Sequence, residues 1–131
     1  NKDLSDLSCT FRVRLAGCAH AQVYIWNSKR GIKRNTNFMV NDHVGAFIVI
    51  DGTLCELHFV QKWVGGGVVA HEIMHLMLWW MSDRETGQYN NDHDREKLCL
   101  LAGNITRRFW KKWYKRYAIC TADAQDVVEC T

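Results

Sequence analysis

Two histidines four residues apart, His71 and His75, enclose Glu72 in the run His-Glu-Ile-Met-His. On an α-helix, residues i and i+4 share a face, so both imidazoles can reach one metal ion, for which zinc is the natural guest. Glu72 stands beside the first ligand, where a general base acting on metal-activated water is needed. Six His and five Glu in 131 residues produce this pattern by accident in roughly one such chain in a hundred, so the surroundings must decide. The flanking residues are apolar, and burying two His and a Glu among them without partners would be costly. A metal is therefore the expected reason for the motif.

A catalytic zinc needs a third protein ligand and one open position. A ligand six residues past His75 would be Met81, which fails. Glu96, twenty-one residues past His75, opens a second helical stretch, and Cys99 and Gly103 follow it at +3 and +7. A face of small side chains would let the second helix approach the first closely enough for a carboxylate to reach the metal. Glu96 is the preferred third ligand on that ground, with His93 as its rival and Asp92 and Asp94 behind both. His20, His43 and His58 read as structural or surface residues.

The stretch Val69–His75, then Glu96-Lys97-Leu98-Cys99 and Gly103, resembles the minimal gluzincins of bacteriophages and prophages. The likeness spans residues 54–117. It implies a zincin-like fold, Zn2+ as cofactor, His71, His75 and Glu96 as ligands, Glu72 as general base, and a peptide or protein as substrate. A weaker likeness to SprT-like DNA-associated proteases would favour His93 as the third ligand. Tyr89, Tyr114 and Tyr117 are the candidates for steadying an oxyanion, although none stands at a position that the likeness marks.

The elements that must hold this site can be read from periodicity. Phe11–Ala16 alternates apolar residues with Arg12 and Arg14, as a half-buried strand does. Ala21–Trp26, Val44–Ile50 and Leu54–Gln61 are strand-like, and Asp51-Gly52 between the last two marks a hairpin turn. Leu54–Gln61 is the natural edge for an extended substrate, with Glu56 and His58 sharing one face. Asn27–Asn37 is polar and basic and reads as a loop. Gly65–Gly67 releases the chain into a helix over Val68–Ser82, apolar all round and so expected to be a buried central helix. Trp79 and Trp80 read as core. Asp83–Asp92 is a loop, with Asn91 or Asp92 as N-cap. A longer helix over His93–Ala118 carries the stripe Leu98, Leu101, Ala102, Ile105, Phe109, and a short acidic tail follows Cys120. The expected fold is α+β in one domain over residues 1–131: an N-terminal antiparallel sheet with a hairpin, the HExxH helix, and a longer C-terminal helix.

Composition fits a zinc-dependent peptidase without demanding one. Hydrophobic residues make up 47% and charged residues 24%, as in ordinary globular domains, and no apolar run reaches membrane-spanning length. Starting at Asn1, the sequence reads as a fragment or a processed form. Six Cys without a C-x-x-C pair, with Cys55 and Cys99 placed as small buried residues, point to free thiols in a reducing cytoplasmic setting. From Arg107 to Tyr117 six cations alternate with five aromatics, which reads first as an amphipathic helix with solvated cations. Nucleic acid or an acidic partner comes second, and a membrane surface last. The competing class is accordingly a non-catalytic, zinc-stabilised module that binds nucleic acid or protein through this helix.

Overall fold

The computed structural model describes residues 2–36, 44–83 and 92–117. Strands β1 (Leu7–Arg14) and β2 (His20–Trp26) are followed by helix α1 (Lys29–Asn35). Strands β3 (Gly45–Val49) and β4 (Leu54–Val60) precede helices α2 (Gly66–Asp83) and α3 (Asp92–Tyr117). The fold is α+β, as expected, and the four strands overlap the four strand-like stretches, although β1 begins at Leu7 and ends at Arg14 rather than spanning Phe11–Ala16. Asp51 turns the β3–β4 hairpin: its carboxylate accepts from the Thr53 amide and hydroxyl and from the Leu54 amide.

Two expectations about this half are corrected. The sheet is mixed, not antiparallel, with order β1-β2-β4-β3 and β2 parallel to β4. Parallel neighbours need a crossover, and α1 lies within it, in the segment read from the sequence as a loop. Its start is fixed from afar. The Asp6 carboxylate accepts from the Ser28 amide, the Ser28 hydroxyl and the Gly31 amide, and the Ser28 hydroxyl accepts in turn from the Arg30 amide. Ile32 is then buried beside Trp26, Ala46 and Val60.

Close approach at Gly31 makes this docking possible. A Cβ there would overlap the fully buried Trp26 ring. Gly31→Ala should therefore lower stability by about 1–3 kcal/mol through overpacking, although alanine favours the helix itself. Urea unfolding checks this, and a gain in stability would mean that α1 is not seated on Trp26.

The opposite face of the sheet carries the main core. Phe11, Val13, Val23, Ile25, Cys55, Leu57 and Phe59 meet Val69, Ile73, Leu76, Met77 and Trp80 of α2 and Ile105 and Phe109 of α3. The α3 stripe behaves as its spacing requires, with Ile105 and Phe109 buried and Leu98, Leu101 and Ala102 packed against them. Trp80 is core, and Trp79 lies half-buried 6.0 Å from Phe47.

Helix α2 is not buried all round, because only one side of it meets the sheet. Met74 and Leu78 are 59% and 51% exposed. Its first turn begins at Gly66, after a 3-10 turn over Gln61–Trp63. Cys55 is buried as expected, and its thiol is pushed up to about 12, first by burial and then by the charge of Glu56. Cys99, by contrast, is exposed. Both are free thiols, as are Cys9 and Cys18. Of the stretch Asp83–Asp92 expected as a loop, Asp83 and Asp92 end α2 and open α3; residues 84–91, with Tyr89 and Asn91, lie outside the described residues, as do His43 and the tail beyond Cys120.

Candidate metal centre

Helix α2 turns the motif's three side chains in two directions. Val69, Glu72, Ile73 and Leu76 face the core, so His71 and His75 project from the other side and are exposed. Their rings stand one turn apart with centroids 4.9 Å from each other. Burial expected for the whole motif therefore holds for Glu72 alone, which is 6% exposed. Its carboxylate remains within reach of the pair, with Oε2 3.9 Å from His71 Nε2.

Glu72 is steered by the sheet. A Cβ placed on Gly45 would lie 3.0 Å from both Cγ and Oε2 of Glu72. The carboxylate thus rests on bare backbone at the first residue of β3, and any larger side chain would displace it. The sequence signal for this contact is Gly45 itself, inside the strand-like run Val44–Ile50, since a glycine within a strand often marks close approach by another group.

The strand beside Glu72 is β3. β4 is paired on both sides, with β2 and with β3, so its backbone groups are already used. The expectation that β4 receives an extended peptide is corrected on that ground. Among the described residues β3 pairs only with β4, leaving its other edge available next to Glu72.

The third ligand does not join the pair. Among the described residues no three His, Cys, Asp or Glu side chains stand close enough to hold one metal ion. Glu96 and His93 are exposed on the first turns of α3. So are Cys99 and Gly103, because the Glu96 face lies opposite the Ile105–Phe109 stripe rather than against α2. The small-residue face was thus correctly seen as a face, but it does not meet the first helix.

Tyrosines fare no better as partners of this site. The Tyr117 hydroxyl donates to Cys9 Sγ at 3.1 Å and bonds Ser8 Oγ at 2.9 Å, against β1. Burial, then the bond to Cys9, pushes the phenol well above its ordinary value. β1 and β3 are opposite edges of the sheet, so Tyr117 lies on the far side from Glu72. Tyr114 is exposed in the last turns of α3.

A second polar cluster lies on the other face of β4. The Trp26 indole N–H donates to Nδ1 of His58 at 2.9 Å, which leaves Nε2 to carry the proton given to Glu56 Oε1, also at 2.9 Å. Lys2 Nζ reaches the same carboxylate oxygen at 3.1 Å. Tyr24 stacks on the His58 ring, with centroids 4.9 Å apart. His58, expected to be structural or surface, is fully buried and structural.

The two imidazoles fit a zinc ion as donors, exposed and one turn apart, and Glu72 fits the role of a base beside them. No family model, curated protein or solved structure matches this chain.

Proposed function

We propose that this protein is a zinc-dependent peptidase, with His71 and His75 as metal ligands and Glu72 as general base. The observation that carries the reading is the pairing of two exposed imidazoles with a buried carboxylate 3.9 Å from one of them. Glu96 is assigned as third ligand on its spacing from His75 alone. Zinc, when bound, would supply Lewis acidity at the carbonyl to be cleaved.

The chain's own residues supply the rest. An extended peptide laid along the open edge of β3 would hydrogen-bond to its backbone, which brings a peptide bond past Gly45 and hence past Glu72. Glu72, held by Gly45, takes a proton from attacking water and delivers it to the departing amine. Its burial against Gly45 keeps the carboxylate in one position between the two transfers. Nothing in this scheme requires a membrane, and among the described residues no helix is long and apolar enough to cross one.

Calorimetric titration with zinc tests the metal half of the reading. One equivalent should bind, and His71→Ala or His75→Ala should weaken it beyond the roughly 10–100-fold typical of losing a supporting contact. Glu96→Gln should weaken it too. If His93→Ala does so instead, the third ligand is His93. A chain that binds no zinc at all would end the proposal.

A further inference from the structure

We propose that the outward face of α3, continued by Arg14 on β1, binds the phosphate backbone of nucleic acid. From Lys97 to Tyr117 the helix has no acidic residue. Arg107, Lys111 and Lys115 form one i, i+4, i+8 row, and Arg108, Lys112 and Arg116 form another. Like charges at this spacing repel along a helix, so the rows cost stability that an ordinary solvated face would recover with interspersed glutamates. Among the described residues Arg107, Lys111, Lys112 and Lys115 make no ion pair.

The field extends past the helix. Arg108 Nη1 donates to the backbone oxygens of Arg14 and Leu15 at 2.9 and 3.0 Å, which fixes α3 against the end of β1. Burial, and after it the charges of Arg14 and Arg107, push the Arg108 guanidinium below its ordinary value. Arg108 is thus fixed at the end of β1 with the charges of Arg14 and Arg107 near enough to be felt, and the lysines continue the positive surface along the helix.

The aromatic residues decide which polyanion fits. A helix that enters a membrane surface needs a free apolar face. Here that face is spent on the core: Phe109 is buried against Phe11 and Phe59, and Trp113 and Tyr117 pack against the same cluster. An acidic protein partner would want an apolar centre within a charged rim. Among the described residues from Arg107 to Tyr117, Tyr114 is the one exposed ring, at 37%, with Trp110 half-buried beside it, and the exposed Leu100 lies about two turns before Arg107. What remains is a stripe of flexible charges suited to a regular array of phosphates, with one ring available for a base or sugar. This surface lies at the β1 edge, across the sheet from Glu72, and does not depend on the peptidase reading.

The test is fluorescence anisotropy of a labelled mixed-sequence 20-base-pair duplex with the full chain, measured over a salt series. Binding should weaken steeply with salt. Arg107→Gln/Lys111→Gln/Lys115→Gln should bind roughly 10–100-fold more weakly, with the log–log salt slope shallower by about 2–3. A control that removes the same charge elsewhere, Arg30→Gln/Lys33→Gln/Lys62→Gln, should stay within about threefold of the parent. Circular dichroism confirms that both variants fold. The proposal fails if the parent does not bind the duplex or if both triples lose affinity equally. It fails also if polyglutamate or phosphatidylserine vesicles bind more tightly than the duplex.

Discussion

Glu72→Gln should abolish hydrolysis and leave the zinc where it was. A general base contributes about 100- to 10,000-fold to rate, so the barrier should rise by roughly 3–5 kcal/mol. Gln keeps the shape of the carboxylate, which matters because Glu72 is buried so closely against Gly45 that even an added Cβ would lie 3.0 Å from its Cγ and Oε2. The variant should therefore fold, hold one equivalent of zinc, and unfold at the parent's midpoint. It cannot accept the proton of attacking water. A fluorogenic unstructured protein with the zinc-loaded chain gives the rate, and metal analysis of the same samples gives the occupancy. Parent and variant cleaving at equal rates would remove Glu72 from the chemistry. A variant that lost zinc together with activity would make Glu72 part of the binding site instead.

How much of this was legible beforehand follows from which interactions are local. His71 and His75 meet because they are four apart on one helix, and that spacing is written in the sequence. The strands were legible for the same reason: Phe11 and Val13 point one way and Arg12 and Arg14 the other, whatever they pair with. Pairing itself is not local. That β2 lies parallel to β4 depends on the chain crossing over between them, and α1 is hard to read locally because its N-cap Ser28 is itself held by Asp6, 22 residues earlier. Glu96 shows the same limit in the site. Its neighbours Cys99 and Gly103 do share its face, but which face of α3 meets the core was set by Ile105 and Phe109. A stripe that turns Ile105 and Phe109 to the core necessarily turns Glu96 outward, away from the core. Gly45 signals a close approach within its strand, but that the approaching group is Glu72 is a contact between elements that no spacing encodes.

His58→Ala should be among the most destabilising single changes in the protein, at about 3–5 kcal/mol. The ring is fully buried and joins three groups: it accepts from Trp26, donates to Glu56 and stacks on Tyr24. Removing it leaves the Trp26 N–H buried without an acceptor and deprives Glu56 of one of its two cationic or N–H partners. Thermal unfolding should drop by roughly 10–20 °C. The parent's pH dependence carries the same signature. Burial lowers the pKa of His58, against the pull of Glu56, so the unfolded chain binds a proton there more readily than the native one. Stability is then full above the ordinary histidine value of 6.5 and falls as the pH drops below it. Glu56 acts further down. Burial pushes its carboxyl up, but the bonds from His58 and Lys2 outweigh this and hold it below 4.5, so its protonation removes stability as the solution becomes more acid still. The gap in unfolding free energy between parent and His58→Ala should accordingly narrow between pH 7 and pH 5. A gap that stayed constant over that range would mean that the native protein accepts the proton at His58 freely. The indole N–H aimed at Nδ1 rules against that, because a protonated ring would set two donors against each other.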